Sequence, residues 1–157
     1  EQRDLAADRP DVVERLRRAY EAWFDDVGAT RGDRTYAPVP IHLGSEHENP
    51  TVLTRQDWRV TGPDGWSDEL FGRWFVHAER AGPYRMVVRH TPIDPTGKVT
   101  LRVGQRTLEA TAAAAAAAGE PAVAFDAVEL PVGPTTLEAR VVWPGGEKSA
   151  IRIEVEH

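Results

Sequence analysis

The chain has no cysteine among its 157 residues, which excludes disulfides, zinc–thiolate sites and thiol nucleophiles. Its redox compartment stays open on that ground alone. No apolar run approaches the roughly 20 residues a helix needs to cross a bilayer, so no membrane span is expected. Lysine is almost missing: apart from Lys98 and Lys148, every basic side chain is arginine. Arginine grips sulfate or carboxylate with two hydrogen bonds at once. Codon usage in a GC-rich genome, which also favours the abundant alanine, explains the bias more plainly. The formal net charge of −6 argues against a nucleic-acid surface, because neutralising phosphates takes clustered positive charge. No charged-then-apolar leader is present, and a start at Glu1 reads as a point inside a longer polypeptide. Ser-His-Asp, phosphate-loop and dinucleotide patterns are missing too, so no catalytic residue is assigned.

What is present begins with one helix. Val12, Val13, Leu16, Ala19, Tyr20, Trp23, Phe24 and Val27 share a face at helical spacing, with Arg15, Arg17, Arg18, Glu21 and Asp25 opposite. The spacing predicts a helix over Asp11–Val27, with Pro10 in its first turn and Gly28 ending it. A helix this short is marginal alone, so its aromatic stripe is expected to bury against something. Residues 28–40 read as a linker rich in glycine, proline and charge.

From Ile41 the period changes to two. Trp74, Val76 and Ala78 alternate with Phe75, His77 and Glu79, and comparable alternations follow to Val155. The phase slips near Asp126, between Val123/Phe125 and Val128/Leu130, which predicts a β-bulge. Seven to nine short strands with one apolar face each predict two antiparallel sheets packed as a β-sandwich. The alanine run Ala112–Ala118 reads as a loop insertion or a short helix lying across it.

The stretch Ile41–Trp58, IHLGSEHENPTVLTRQDW, follows Leu5–Val27, LAADRPDVVERLRRAYEAWFDDV, and precedes the β-rich remainder. In that arrangement the chain resembles the C-terminal part of bacterial arylsulfatases of the type I, alkaline-phosphatase-like superfamily. The resemblance implies that residues 1–36 are the helix and linker closing a sulfatase core, and that 37–157 are a C-terminal sandwich with a jelly-roll strand order. It also implies a parent that hydrolyses sulfate esters with a formylglycine and a calcium-like divalent ion, exported to the periplasm or beyond. The implied partner is that catalytic core, on the same polypeptide or an associated chain. None of Ser45, Ser67 and Ser149 begins the C/S-x-P-x-R motif from which formylglycine is made, so this chain itself carries no cofactor and no sulfatase chemistry.

Two places carry binding potential. His42 and His47, with Glu46 and Glu48, stand in a loop that can be read as a metal site or, more plainly, as a solvated acidic joint. No metal ligand is assigned there, although the resemblance would run this segment along the active-site cleft, with His47 or Glu48 touching substrate. Trp58, Trp66 and Trp74 cluster with Arg55, Arg59 and Arg73. Sugars stack their C–H faces on aromatic rings, and arginines beside them suit a sulfated or uronic sugar. Phase puts Trp74 in the core, leaving Trp58 and Trp66 as stacking candidates or as plugs at the sandwich end. His47, Arg55, Trp58, Arg59 and Trp66 are therefore the candidate substrate-binding residues. The functional expectation is a non-catalytic accessory region of an arylsulfatase-like hydrolase. An autonomous carbohydrate-binding module and a structural or assembly domain, docking through Tyr20, Trp23 and Phe24, are the alternatives.

Overall fold

The structure, a computed structural model, describes residues 4–29, 37–61, 70–92, 96–112 and 120–157. Trp66 and most of the alanine run, residues 113–118, lie outside the described residues. The chain divides into two compact units, Glu1–Ala37 and Pro38–His157.

The first unit carries α1, Pro10–Ala29. It is one turn's fraction longer at each end than the apolar spacing predicts, and it continues through Gly28. Asp11 lies in its first turn, where a carboxylate suits the positive end of the helix dipole. Arg17 reaches Glu21 at 2.8 Å and Arg18 reaches Glu14 at 3.4 Å, both one turn apart. No residue of α1 is buried, so whatever covers its aromatic stripe is not among the described residues.

The second unit contains β1 (Ile41–Leu43), β2 (Thr51–Thr54), β3 (Arg59–Val60), β4 (Gly72–Ala78), β5 (Gly82–Arg89) and β6 (Lys98–Val103). It continues with β7 (Arg106–Thr111), β8 (Ala122–Leu130), β9 (Gly133–Trp143), β10 (Gly146–Ser149) and β11 (Arg152–Glu156). One sheet runs β1-β4-β9-β6-β7, with β3 beside β4 and β10 beside β9. The other runs β2-β11-β5-β8. The antiparallel pairs β2·β11, β4·β9, β5·β8 and β6·β7 nest inside one another along the chain. A chain doubled back as one long hairpin and then rolled so that alternate pairs fall in opposite sheets is a jelly roll, and this sandwich has that order. One pair departs from the antiparallel expectation: the three-residue edge strand β1 runs parallel to β4.

Alternation places the core. On β4, Trp74, Val76 and Ala78 point inward and are at most 1% exposed, facing Met86, Val88, Leu101, Leu137, Ile153 and their neighbours from both sheets. The indole N–H of Trp74 donates to the Thr54 carbonyl at 2.6 Å, so burying this large ring strands no polar group. The Tyr84 hydroxyl likewise donates to the Arg80 carbonyl at 2.9 Å. The expected bulge is present: between Tyr84 and Met86 of β5 the register shifts against β8, where Phe125 and Val128 are the partners. The extra residue bends β8 through Ala127, whose φ of 52° is left-handed.

Candidate functional site

The outward half of the β4 alternation is chemically unlike the inward half. Arg73, Phe75 and His77 occupy it, all half-buried. Register then lines up one row across neighbouring strands: Arg59 on β3 is opposite Arg73 and Glu138 on β9 is opposite Arg102 on β6, while Arg73, one step past the Trp74–Leu137 pair, is ion-paired to Glu138. Cross-strand partners share a face, and three steps of about 4.8 Å make this row about 14 Å wide.

Glu138 is the fixed point of the row. It is buried, and Arg73 binds it through Nε at 2.7 Å and through its terminal nitrogen at 2.6 Å. Arg140, one residue further along the same face of β9, lies 3.9 Å from the Glu138 carboxylate, and Arg102 lies 4.0 Å away. Arg140 also pairs with Glu147 of β10 at 3.2 Å and lies over the ring of Phe71 at 4.4 Å, a cation–π contact. Arg59 is exposed and has no acidic partner among the described residues. Four arginines thus stand with Glu138, Glu147 and the Lys98–Glu109 ion pair on one face of this sheet. Phe75 lies one row along from them, beside Arg73 on β4 and opposite Thr136 on β9, and no aromatic or cationic group of the described residues stacks on its ring.

Trp58 sits elsewhere. Its ring is half-buried against the core, 5.4 Å from Trp74 and tilted to it by 46°, with the Arg55 guanidinium 5.0 Å above it. Gly72 is required beneath it, because a Cβ there would come within 2.1 Å of the indole. Asp57 builds the turn that delivers Trp58, accepting from the Thr54 N–H at 2.7 Å and from its hydroxyl at 2.8 Å. Arg55 and Trp58 therefore close the end of the sandwich, while Arg59 turns onto the outer row.

His47 lies at the opposite end of β4. The seven steps from Gly72 to Glu79 span about 23 Å, so His47 and Trp58 do not share a site. There a cleft of about 470 Å³ opens between His42, Ser45, His47, Glu79 and Arg80. His42 is hydrogen-bonded to the Glu79 carboxylate, which that contact holds below the usual carboxylate range. The His77 ring stacks on that of His42 at 5.4 Å. The Ser45 hydroxyl accepts from the backbone N–H groups of His47 and Glu48, which ties this loop into a turn. Among the described residues no three His, Asp or Glu side chains converge to hold a metal ion.

Of the residues singled out by sequence, the structure joins Arg55 to Trp58 and sets Arg59 and His47 apart from them. Phe75, Glu138, Arg102 and Arg140 were not singled out. Phe75 carried a signal, being an aromatic in the outward phase of a strand and two residues from an arginine; the others carried none before register was known.

No protein-family model matches the chain, and no curated protein does. Among solved structures it is similar to the GH26-CBM35 beta-(1,4)-mannanase of Podospora anserina, at 15% identity and a TM-score of 0.49. That match covers 69% of this chain and only 27% of the mannanase. It is similar also to the CBM36-1 domain of a multidomain xylanase from the hindgut metagenome of Trinervitermes trinervoides, at 12% identity, 69% and 98% coverage and a TM-score of 0.49. The CBM35 from Cellvibrio japonicus Abf62 follows at 13% identity, 68% and 92% coverage and a TM-score of 0.45. None of the three is a sulfatase, and the arylsulfatase resemblance rests on its sequence motifs.

Proposed function

We propose that the Pro38–His157 unit is a non-catalytic carbohydrate-binding β-sandwich whose ligand lies on the outer face of the seven-stranded sheet. The observation that carries this is Phe75: a half-buried ring with nothing stacked on it among the described residues, beside a row in which Arg59, Arg73 and Arg102 are aligned across the sheet around Glu138. A sugar ring would lay its C–H face on Phe75. Arg59, Arg73 and Arg102 would donate paired N–H groups to planar or tetrahedral anions, the chemistry of a uronic carboxylate or a sulfate ester. Glu138 positions Arg73 and keeps its guanidinium from folding back onto the sheet.

On this reading the unit serves a hydrolase joined to it, and the arylsulfatase resemblance names the kind: a sulfate-ester hydrolase whose formylglycine and divalent ion lie in its own core. Two titrations by calorimetry test the proposal, one with sulfated oligosaccharides and one with the same chains desulfated. Saturable heat that falls with added salt and is at least about tenfold tighter for the sulfated set is expected. Equal binding of both sets would keep the sugar and remove the anion; heat from neither would remove the function.

A further inference from the structure

The arginine row does not carry its charge evenly. Arg73 donates to the buried Glu138 carboxylate through Nε at 2.7 Å and a terminal nitrogen at 2.6 Å, so its charge is matched within the sheet. Arg59 and Arg102 stand at the two ends of the row, and both are exposed. Arg59 has no acidic partner among the described residues. Arg102 donates from Nε to the Gly104 carbonyl at 3.1 Å, and its terminal nitrogen stays 4.0 Å from Glu138. Glu109 is paired with Lys98, Glu147 with Arg140 and Glu79 with His42, so none of these carboxylates compensates either end.

A low lane runs beside that row. Register puts Phe75 of β4 opposite Thr136 of β9, and just past β6 the Gly104 N–H donates to the Thr136 carbonyl at 2.8 Å. Across the three strands the floor is a ring, a short side chain and no side chain at all. Gly104 has a φ of 57°, and a Cβ on it would come 3.2 Å from the Thr135 hydroxyl, so glycine keeps this end low. The arginine row borders the lane on one side. On the other stand Pro134, His77 opposite it, and His42, whose ring stacks with that of His77 at 5.4 Å. The lane therefore crosses the strands, in the same direction as the row.

Resting on the carbohydrate-binding reading, we propose that this face takes an internal stretch of a linear polyanionic polysaccharide laid across the strands. One sugar ring lies on Phe75, and anionic groups from rings on either side of it meet Arg59 and Arg102. The two end guanidiniums spring from backbone positions about 14 Å apart, so a disaccharide meets one of them and a longer chain meets both. The second contact is then intramolecular, and affinity climbs in a step with chain length rather than in proportion to it. Each guanidinium offers paired N–H donors, which suit sulfate and carboxylate alike.

Calorimetric titration of the full chain with two size-graded series tests this: dextran sulfate fragments, whose anions are sulfates, and oligogalacturonates, whose anions are carboxylates. In at least one series affinity should rise at least about tenfold from disaccharide to hexasaccharide, and the series that shows the step names the anion. Arg59→Gln and Arg102→Gln should each cut that step to about twofold, and at exposed positions neither should move the thermal transition. Arg85→Gln removes an exposed guanidinium from the other sheet and should leave the step whole. Disaccharides that bind as tightly as hexasaccharides would overturn the spanning and leave the carbohydrate-binding reading standing. A step that survives both row substitutions, or that Arg85→Gln diminishes as much, would assign it to net charge and overturn the proposal. Heat from no fragment of either series would remove the carbohydrate-binding reading itself.

Discussion

Trp74 and Phe75 are adjacent aromatics on one strand and have opposite situations. Trp74 is fully buried, hydrogen-bonded through its N–H and packed between two sheets. Phe75 is half-buried on a face of arginines, with no stacking partner among the described residues. Strand geometry makes the difference, because successive side chains leave opposite faces. The lesson is that an aromatic-rich strand divides its rings between stability and recognition by phase alone. The row Arg59–Arg73–Glu138–Arg102 shows the same division for charge, since none of the buried inward residues of β4, β6 and β9 is charged.

The sharpest way to break that comparison is to truncate each ring in turn. Trp74→Ala should cost roughly 3–5 kcal/mol in urea unfolding, as a large buried ring does. Phe75→Ala should change the same transition by less than about 1 kcal/mol. Gly72→Ala comes next. Its Cβ would meet the Trp58 ring at 2.1 Å, so about 1–3 kcal/mol should be lost by overpacking. Adding Trp58→Ala should make that loss shrink rather than grow, because the two changes relieve one another.

Tyr84→Phe removes one buried hydrogen bond and should cost about 1 kcal/mol at neutral pH. Burial raises the Tyr84 phenol above its usual 10.0. The stability linked to it is therefore complete below pH 10 and is lost as pH rises through the raised value; Tyr84→Phe should flatten that alkaline decline. The smallest expected effect is at Glu154, whose carboxyl is held below its usual 4.5 first of all by its hydrogen bond to Arg89. Its contribution is present above pH 4.5 and is lost as pH falls through the lowered value. Both side chains remain partly exposed, so Glu154→Gln should cost under about 1 kcal/mol and reduce the acid slope in a pH–stability series.

How much of this was legible in the sequence depends on how local the cause was. The alternation of β4, β5, β6 and β8 was plain, and the broken phase around Asp126 announced the bulge before any register was known. β7 was not read as a strand, because of its six residues only Leu108 and Ala110 turn even partly inward at the sheet edge. The parallel pairing of β1 rests on three residues and on where the intervening chain returns, which no short pattern records. Trp58 was visible as a candidate, but Gly72 beneath it and Arg55 above it, which make it a closing residue, are tertiary facts. The arginine row is the least legible feature, because its members come from four strands and meet only through sheet register.

The most direct test of the account compares Phe75→Ala with Trp58→Ala by calorimetric titration against one sulfated oligosaccharide, with the thermal transition of each variant measured beside it. The account predicts that Phe75→Ala keeps the transition and loses the heat of binding, while Trp58→Ala lowers the transition and keeps the binding. Undiminished binding by a folded Phe75→Ala chain would contradict it.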